Sequence, residues 1–342
     1  MKRFLLSLLI LSATSLCLAN DLERAPQNFS YKNSQAVFID IKTIEVSYLF
    51  DVESRKITAD AQIIFNMPEQ GYPVFDLVPD ITKMSFAGTD LDINLLDEIT
   101  DPDEQSKFRV LNLEMFASEN NKLSLSFEIT DRDLFDFTSN DVKIGFFMSD
   151  LATNGRGFYE RYGPTNLEYD QIKFIFDIEV IGTEAEHEVF ANAQMNKMGF
   201  NKWRLEYPDY FTTSSLYFHL FEKGRFIVKR EEFQLKEKTI PLAIYSSTES
   251  RVNKAMKSSK EFLIELENDY GPYPHDHFVV YVTSSGGGME YSGATMTSLR
   301  ALGHEITHFW FARSLMPSRA NSGWVDEAIA SWRDNDLSLI HI

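Results

Sequence analysis

Short segments in which apolar and polar residues alternate dominate the chain from residue 36 to about residue 233. Four of the clearest are residues 43–50, 57–65, 122–129 and 172–180. An alternation of period two places the apolar side chains on one face of a β-strand, which is typical of antiparallel sheets that cover a core on one side. The sequence therefore predicts an amino-terminal domain built as an antiparallel β-sandwich or saddle.

The pattern changes after Pro241. Residues 248–268 carry an apolar stripe with helical spacing and are followed by glycine and prolines, which predict the end of a helix. The continuous apolar run 278–282 then predicts a buried strand. We therefore expect an α+β chain with a β domain at residues 20–238 and a second domain at residues 239–342.

A His-Glu-x-x-His pattern at residues 304–308 carries the strongest chemical signal. On a helix, His304 and His308 lie on one face and can present two imidazoles to one metal ion. Glu305 lies beside them, where it is badly placed to ligate but can take a proton from water, so it is the predicted general base. A hydrolytic zinc site uses three protein ligands and one open position, and Glu327 is the natural third donor. The sequence predicts one Zn²⁺ ion at this site.

A structural zinc site is the alternative interpretation of this pattern. Such a site favours closed, cysteine-rich coordination, and the only cysteine of the chain is Cys17. The helix predicted over residues 301–312 is apolar on nearly every side, as a buried helix is. Two histidines and a glutamate inside it need a partner, and a metal ion supplies one.

A glycine-rich segment, residues 284–296, precedes the metal motif. Gly287 and Gly288 allow a ligand or another backbone to approach closely, although the triplet alone is also compatible with an ordinary turn. Glu290 is the one charge in this stretch. A carboxylate beside an extended edge strand can hold a substrate's ammonium group while the strand pairs with a peptide backbone.

Three ordered motifs together resemble the M1 family of zinc aminopeptidases, which are gluzincins. They are Gly-Gly-Met-Glu-Tyr at residues 287–291, His-Glu-x-x-His-x-Trp-Phe at residues 304–311 and Trp-x-x-Glu-Ala at residues 324–328. One departure is Tyr291, where many members carry Asn. The resemblance implies a β domain followed by the first half of a thermolysin-like metallopeptidase domain, and peptides with a free amino terminus as partners.

The resemblance also assigns roles to individual residues. It implies that zinc is bound by His304, His308 and Glu327. It implies that Glu305 activates water and that Glu290 anchors the substrate's α-amino group. It further implies that the substrate backbone is bordered by Gly287, Gly288 and Met289.

Members of the family continue past the third zinc ligand into a helical half-domain, which supplies a tyrosine for the developing oxyanion. This sequence ends at Ile342, so we expect a truncated form with impaired hydrolysis, because such donors are commonly worth about 10²–10³ in rate. An inactive fragment or a binding module with a degenerate metal site is one alternative. A zinc endopeptidase, which needs no amine anchor, is another.

The amino terminus has the pattern of a secretory signal peptide over residues 1–19. A basic start is followed by a hydrophobic stretch and by Ala19, a small residue suited to cleavage. An uncleaved anchor is the competing interpretation, but the apolar run is shorter than the ~20 residues that span a bilayer. We expect an exported protein, periplasmic or secreted, with no membrane span after cleavage.

Net charge excludes one class of partner. Cleavage after Ala19 would remove two of the 33 basic residues and none of the 51 acidic ones, which leaves a net charge of −20. Such a chain repels phosphate backbones, so nucleic acid is not an expected partner. Cleavage would also remove the only cysteine, so stability depends on core burial and metal.

Several other residues have simpler interpretations. His275 and His277 lie in a proline-flanked loop and are expected to be exposed and solvated rather than to bind metal. The acidic residues of segment 97–104 lack the glycine and spacing of a calcium loop, so we expect a solvated loop. Packing roles are expected for the four tryptophans, Trp203, Trp310, Trp324 and Trp332.

Overall fold

A computed structural model describes residues 28–101, 106–130, 135–146, 161–165, 171–284, 286–315 and 324–333. The predicted signal peptide, residues 1–19, lies outside these residues, as does the chain after residue 333. Within the described ranges, no helix is both long enough and apolar enough to cross a membrane.

The amino-terminal strands are, in chain order, β1 (Phe29–Tyr31), β2 (Ser34–Phe38), β3 (Asp40–Asp51), β4 (Lys56–Met67), β5 (Tyr72–Asp76), β6 (Ile81–Phe86), β7 (Thr89–Leu91), β8 (Leu96–Asp101), β9 (Ser106–Leu111), β10 (Ser118–Ile129), β11 (Phe135–Phe137), β12 (Val142–Phe146), β13 (Lys173–Ile181), β14 (His187–Ala191), β15 (Gln194–Gly199), β16 (Lys202–Glu206) and β17 (Phe218–Glu222). Short 3₁₀ turns lie at Ile93–Leu95 and Thr213–Ser215. The remaining elements are β18 (Ile227–Gln234), β19 (Thr239–Ser246), α1 (Glu249–Tyr270), β20 (Phe278–Val282), β21 (Gly288–Tyr291), β22 (Ala294–Thr297), α2 (Leu302–Thr307) and α3 (Trp324–Arg333).

Strands β1 to β17 form three sheets among the described residues. Their strand orders are β1-β2-β5-β9-β8, β15-β16-β13-β3-β4-β10-β6-β7 and β11-β12-β17-β14. In β3 the alternating side chains Ile44, Val46, Tyr48 and Phe50 are all buried, and the facing residues of β4 continue the same core. The predicted strands, each with one buried apolar face, are thus confirmed.

The expectation of purely antiparallel sheets is incomplete. Strand β3 pairs with β13 in parallel, and β2 pairs with β5 in parallel. Alternation of apolar residues indicates that one face of a strand is buried, but it does not indicate the direction of the neighbouring strand. The molecule is a mixed α+β fold made mostly of sheets with few helices, as predicted.

A further sheet contains β21, which belongs to the glycine-rich segment that precedes the metal motif. Its strand order is β18-β19-β20-β22-β21, so β21 lies at the edge. Helix α1 buries Val252, Met256 and Leu263 toward the core of this region. The predicted strand 278–282 coincides with β20. The proposed domain division between residues 238 and 239 falls in the turn between β18 and β19, which pair in one sheet.

Helix α2 is shorter than the helix predicted over residues 301–312, so that prediction is wrong in extent. The chain turns after His308, and Ala312 adopts a left-handed φ of 82°. The amide of Ala312 donates to the carbonyl of Leu315 over 3.0 Å, which closes the turn. Apolar composition indicated burial correctly, since Phe309 and Trp310 are buried, but it did not indicate where the helix ends.

The four tryptophans divide into two pairs. Trp203 and Trp310 are buried, as expected. Trp324 and Trp332 are 72% and 68% exposed, so the packing role predicted for them is wrong within the described residues. They lie eight residues apart on one face of α3, whereas Ala330 on another face is buried.

Candidate metal centre and active site

The three predicted zinc ligands lie close together. Nε2 of His304 lies 3.1 Å from Nε2 of His308. Glu327 approaches both rings, with Oε2 at 3.2 Å from Nε2 of His304 and Oε1 at 3.8 Å from Nε2 of His308. Helix α3 thus brings its first turn against the two imidazoles of the α2 segment.

These spacings fit a tetrahedral metal ion. Zinc bonds of about 2.0–2.2 Å at tetrahedral angles separate neighbouring donors by about 3.3 Å. The two imidazole nitrogens, 3.1 Å apart, lie near that value, and each ring has a different oxygen of Glu327 at 3.2 Å or 3.8 Å. The donor types also fit, because zinc prefers neutral imidazole and carboxylate ligands in hydrolytic sites. The residues present therefore suit a zinc ion.

Local packing explains how α2 reaches this position. Gly303 lies against Phe262 of α1, and a Cβ at Gly303 would lie 2.8 Å from Cζ of that ring. The hydroxyl of Thr307 donates to the carbonyl of Gly303 over 2.8 Å, which satisfies a buried side chain within the helix. The helix therefore packs closely on α1 and directs His304 toward α3.

The electrostatics of the cluster favour metal binding. Burial lowers the pKa of His308, and the nearby carboxylates of Glu290 and Glu327 only partly oppose this effect. The hydrogen bond with His304 lowers the pKa of Glu327, against the raising effect of burial. Neutral imidazole and ionised carboxylate are the states that bind zinc. Burial raises the pKa of Asp326, whose Oδ2 lies 3.7 Å from Nδ1 of His308.

Glu305 is buried beside the edge strand. A Cβ at Gly288 would lie 2.5 Å from Cδ of Glu305, so any side chain at that position would collide with the carboxylate. At Gly287 an added Cβ would meet no atom within 4 Å. Glycine at position 288 is therefore needed for the approach of β21 to the proposed base.

Strand β21 lies at the edge of its sheet, as the sequence predicts. It pairs with β22 through Glu290 and Thr295, and no further strand of the described residues lies beyond it in the sheet. The hydroxyl of Thr295 donates to the carbonyl of Met289 over 2.9 Å. Ligand atoms of Glu290, Glu305 and His308 lie within 4.8 Å of one another. The structure thus brings the proposed amine anchor to the metal cluster.

Two charged residues of this region were missed by the sequence analysis. Arg313 is buried, and its Nη2 lies 3.2 Å from Oε1 of Glu290. It is the only Lys or Arg between residues 301 and 315, and a lone basic residue in an apolar segment is a signal for a buried ion pair. Asp326 directly precedes Glu327, and only the tertiary structure shows its approach to His308.

The expected exposure of His275 is wrong. His275 is buried, with Nε2 at 2.9 Å from the carbonyl of Phe309 and Nδ1 at 3.3 Å from the hydroxyl of Tyr210. Burial lowers the pKa of His275 to about 4. Flanking prolines indicated a loop, but not that aromatic residues cover it. The loop expected over the acidic segment 97–104 is wrong for residues 97–101, which belong to strand β8 and pair with β9. Asp97 lies 3.3 Å from Lys32, and residues 102–105 lie outside the described residues.

Comparison with known proteins gives matches in structure. No family model and no curated protein matches the sequence. The M1 zinc metallopeptidase from Deinococcus radiodurans superposes with a TM-score of 0.62 at 16% identity, over 86% of this chain and 69% of that chain. Its Glu-to-Ala variant bound to a Tyr-Ser-Ala substrate gives a TM-score of 0.63 at 15% identity, over 86% and 70%. A two-domain M1 zinc metallopeptidase variant bound to L-tryptophan also gives a TM-score of 0.63 at 15% identity, over 86% of this chain and 70% of that chain. This chain therefore has the fold of M1 zinc metallopeptidases over the matched part.

Proposed function

We propose that this protein is a zinc-dependent aminopeptidase of the M1 family that removes amino-terminal residues from peptides. The observation that carries the proposal is the placement of Glu290 and Glu305 within 4.8 Å of His308. A substrate ammonium held by Glu290 would bring the first peptide bond close to the metal ligands. The fold shared with M1 zinc metallopeptidases supports the same function.

The metal ligands in this proposal are His304, His308 and Glu327. Zinc bound there would supply Lewis acidity, which polarises a carbonyl group and lowers the pKa of water. The three side chains come from α3 and from α2 with its carboxy-terminal cap, His308, and the two helices pack against each other, which fixes the positions of the donor atoms.

Glu305 is the proposed general base. Its buried carboxylate would take a proton from the attacking water and later return that proton to the leaving amine. Gly288 allows the edge strand to lie against this carboxylate, so the base and the substrate backbone are held side by side. Burial excludes bulk water, which strengthens the interaction of the carboxylate with a reacting proton.

Substrate selection would depend on β21. Among the described residues no strand lies beyond β21, so its outer edge can add a peptide backbone as a further strand, bordered by Gly287, Gly288 and Met289. Glu290 would bind the free ammonium by a charge-assisted hydrogen bond, which fixes cleavage one residue from the amino terminus. Support comes from the neighbouring structures that hold a Tyr-Ser-Ala substrate or L-tryptophan.

We further propose that the protein acts outside the cytoplasm, in the periplasm or as a secreted enzyme. The support is the signal-peptide pattern of residues 1–19. Residues 20–238 would form the β domain and residues 239–342 the catalytic portion. Amino-terminal sequencing of the exported protein tests the location, and a start at Asn20 is the expected result.

Paired substrates test the activity. Zinc-loaded protein should hydrolyse aminoacyl p-nitroanilides and free tripeptides but not their N-acetylated forms. Glu290→Ala should raise KM and lower the rate for the free substrates. An endopeptidase would cleave the acetylated peptides equally well, and a binding module would cleave neither set. Either result would remove the aminopeptidase assignment.

A further inference from the structure

Arg313 connects three parts of the molecule around the proposed amine site. Its Nη2 donates to Oε1 of Glu290 over 3.2 Å, and its Nη1 donates to the hydroxyl of Ser214 over 2.7 Å. The side chain is only 5% exposed and that of Glu290 is 14% exposed. The pair is therefore largely removed from solvent, where a charged hydrogen bond has a strong orienting effect.

The backbone around Arg313 is held as firmly as its side chain. Its amide donates to the carbonyl of His308 over 3.2 Å, and its carbonyl accepts from the hydroxyl of Ser292 over 3.3 Å. Ala312 just before it has a φ of 82°, a conformation that non-glycine residues adopt at a cost of about 1–2 kcal/mol. The turn thus directs the guanidinium back beneath β21 at an energetic cost, a feature often found at functional sites.

Ser214, which accepts the hydrogen bond from Arg313, is itself held in place by neighbouring residues. Ser214 lies in the buried 3₁₀ turn 213–215, and the side-chain amide of Asn192 donates to the carbonyls of both Ser215 and Ser292 over 2.7 Å. Glu290 is therefore linked through Arg313 to a buried part of the β region. Displacing the carboxylate from the cluster would break the hydrogen bond between Arg313 and Glu290.

Charge balance explains why a cation is placed here. Ligand atoms of Glu290 and Glu305 lie within 4.8 Å of each other and of His308. Carboxylates at such separations repel one another, and a substrate ammonium is present for only part of a reaction cycle. A fixed guanidinium keeps Glu290 in place when no substrate is bound.

We propose that Arg313 is a positioning residue for amine recognition. It holds Oε1 of Glu290 so that the remaining face of the carboxylate is presented to the ammonium of an amino-terminal residue. This inference rests on the proposed function because it assigns the ammonium group to Glu290. It adds a residue that acts through Glu290 and does not itself touch the substrate.

Calorimetric binding tests the inference without turnover. The ligands are L-tryptophan amide and its N-acetyl form, and the protein is zinc-loaded and carries Glu305→Gln. Arg313→Gln should weaken binding of the free-amine ligand about tenfold, the range of one charged hydrogen bond, and should leave the acetylated ligand unchanged. Arg313→Lys should restore part of the loss, because it keeps the charge without the fork geometry.

A matched control comes from a second Arg–Glu pair. Arg230 lies 2.9 Å from Glu188 and is 53% exposed, so Arg230→Gln removes a similar pair at the surface and should change neither dissociation constant. Ser214→Ala serves if Arg313→Gln does not fold, and should weaken free-amine binding in the same direction by a smaller factor.

The outcomes separate this inference from the proposed function. Unchanged free-amine binding in folded Arg313→Gln, or in Ser214→Ala where Arg313→Gln does not fold, would overturn the positioning role even if the wild-type enzyme hydrolyses peptides. Equal weakening of free and acetylated ligands would also overturn it, because that result indicates general disruption. Selective binding of the free amine by the Glu305→Gln protein, together with wild-type protein that hydrolyses nothing, would overturn the proposed function while leaving the positioning role supported by the Kd values.

Discussion

Gly288 and Glu305 are in direct apposition: a Cβ added at Gly288 would lie 2.5 Å from Cδ of Glu305. The glycine belongs to the edge strand and the glutamate to helix α2. A single missing side chain therefore sets how closely the proposed substrate strand approaches the proposed base.

Gly288→Ala should lower kcat by at least about tenfold, because Glu305 or the strand must move and misplacement by about 1 Å can cost up to about 10²-fold. Zinc content should not change, since Gly288 contributes no ligand. Steady-state kinetics with an aminoacyl p-nitroanilide checks this. Gly199→Ala is the control, because its Cβ would only reach ordinary contact at 4.0 Å from Lys202. Wild-type kcat in Gly288→Ala would show that the apposition has no catalytic consequence.

Glu305→Gln should keep zinc and lose turnover. The amide has nearly the same size as the carboxylate but cannot accept a proton, and general base catalysis contributes about 10²–10⁴ in rate. The measurement is kcat together with elemental analysis of the same preparation. Full activity in this variant would remove Glu305 as the base, and loss of zinc would indicate a structural role instead.

Removal of the metal should lower stability. A ligand that binds only the folded protein stabilises it by about 2.7 kcal/mol at a concentration of 100 Kd. A chelator should therefore lower the thermal unfolding midpoint of wild-type protein. Glu327→Ala should show a lower midpoint already and little further response to the chelator. An equal shift in both proteins would argue against Glu327 as a ligand.

Acid should destabilise the metal-free protein below pH 6.5. Burial lowers the pKa of His275 to about 4, whereas the unfolded chain takes up this proton near pH 6.5. The unfolded state thus binds more protons in this window, so the free energy of unfolding falls as the pH drops from about 6.5 to about 4, by about 3 kcal/mol for this residue. Urea unfolding across this range measures the slope. His275→Gln should flatten it, and an unaltered slope would contradict the assignment.

Ala312→Gly should raise the free energy of unfolding by about 0.5–1 kcal/mol, because glycine adopts a φ of 82° without steric cost. Urea unfolding checks the sign. Ala255→Gly in the interior of α1 is the comparison and should destabilise by about 1 kcal/mol. Destabilisation by both substitutions would mean that Ala312 is not strained.

Much of the fold could be predicted from local patterns. Alternation located β3 and β4, and the apolar run placed β20 at Phe278–Val282. The close approach of His304, His308 and Glu327 also follows from spacing plus one packed helix. The spacing of apolar residues along the chain indicates which side chains are buried and whether the segment is a strand or a helix. These elements could therefore be predicted without knowledge of distant contacts.

Other features depend on contacts between distant segments. The parallel pairing of β3 with β13 joins residues about 130 positions apart, a separation at which a strand pattern carries no directional information. The ion pair of Arg313 with Glu290 requires the turn at Ala312. The sequence does not indicate this turn, because the residue with positive φ is an alanine and not a glycine. These are the features that set the geometry of the proposed amine site.

Zinc coordination tests the central claim most directly. X-ray absorption of the purified protein, with elemental analysis of the same sample, should show one zinc per chain bound to two imidazole nitrogens, and the signal should be lost in His308→Ala. A chain without stoichiometric zinc after zinc loading, or zinc that still shows two imidazole nitrogens in His308→Ala, would contradict the account.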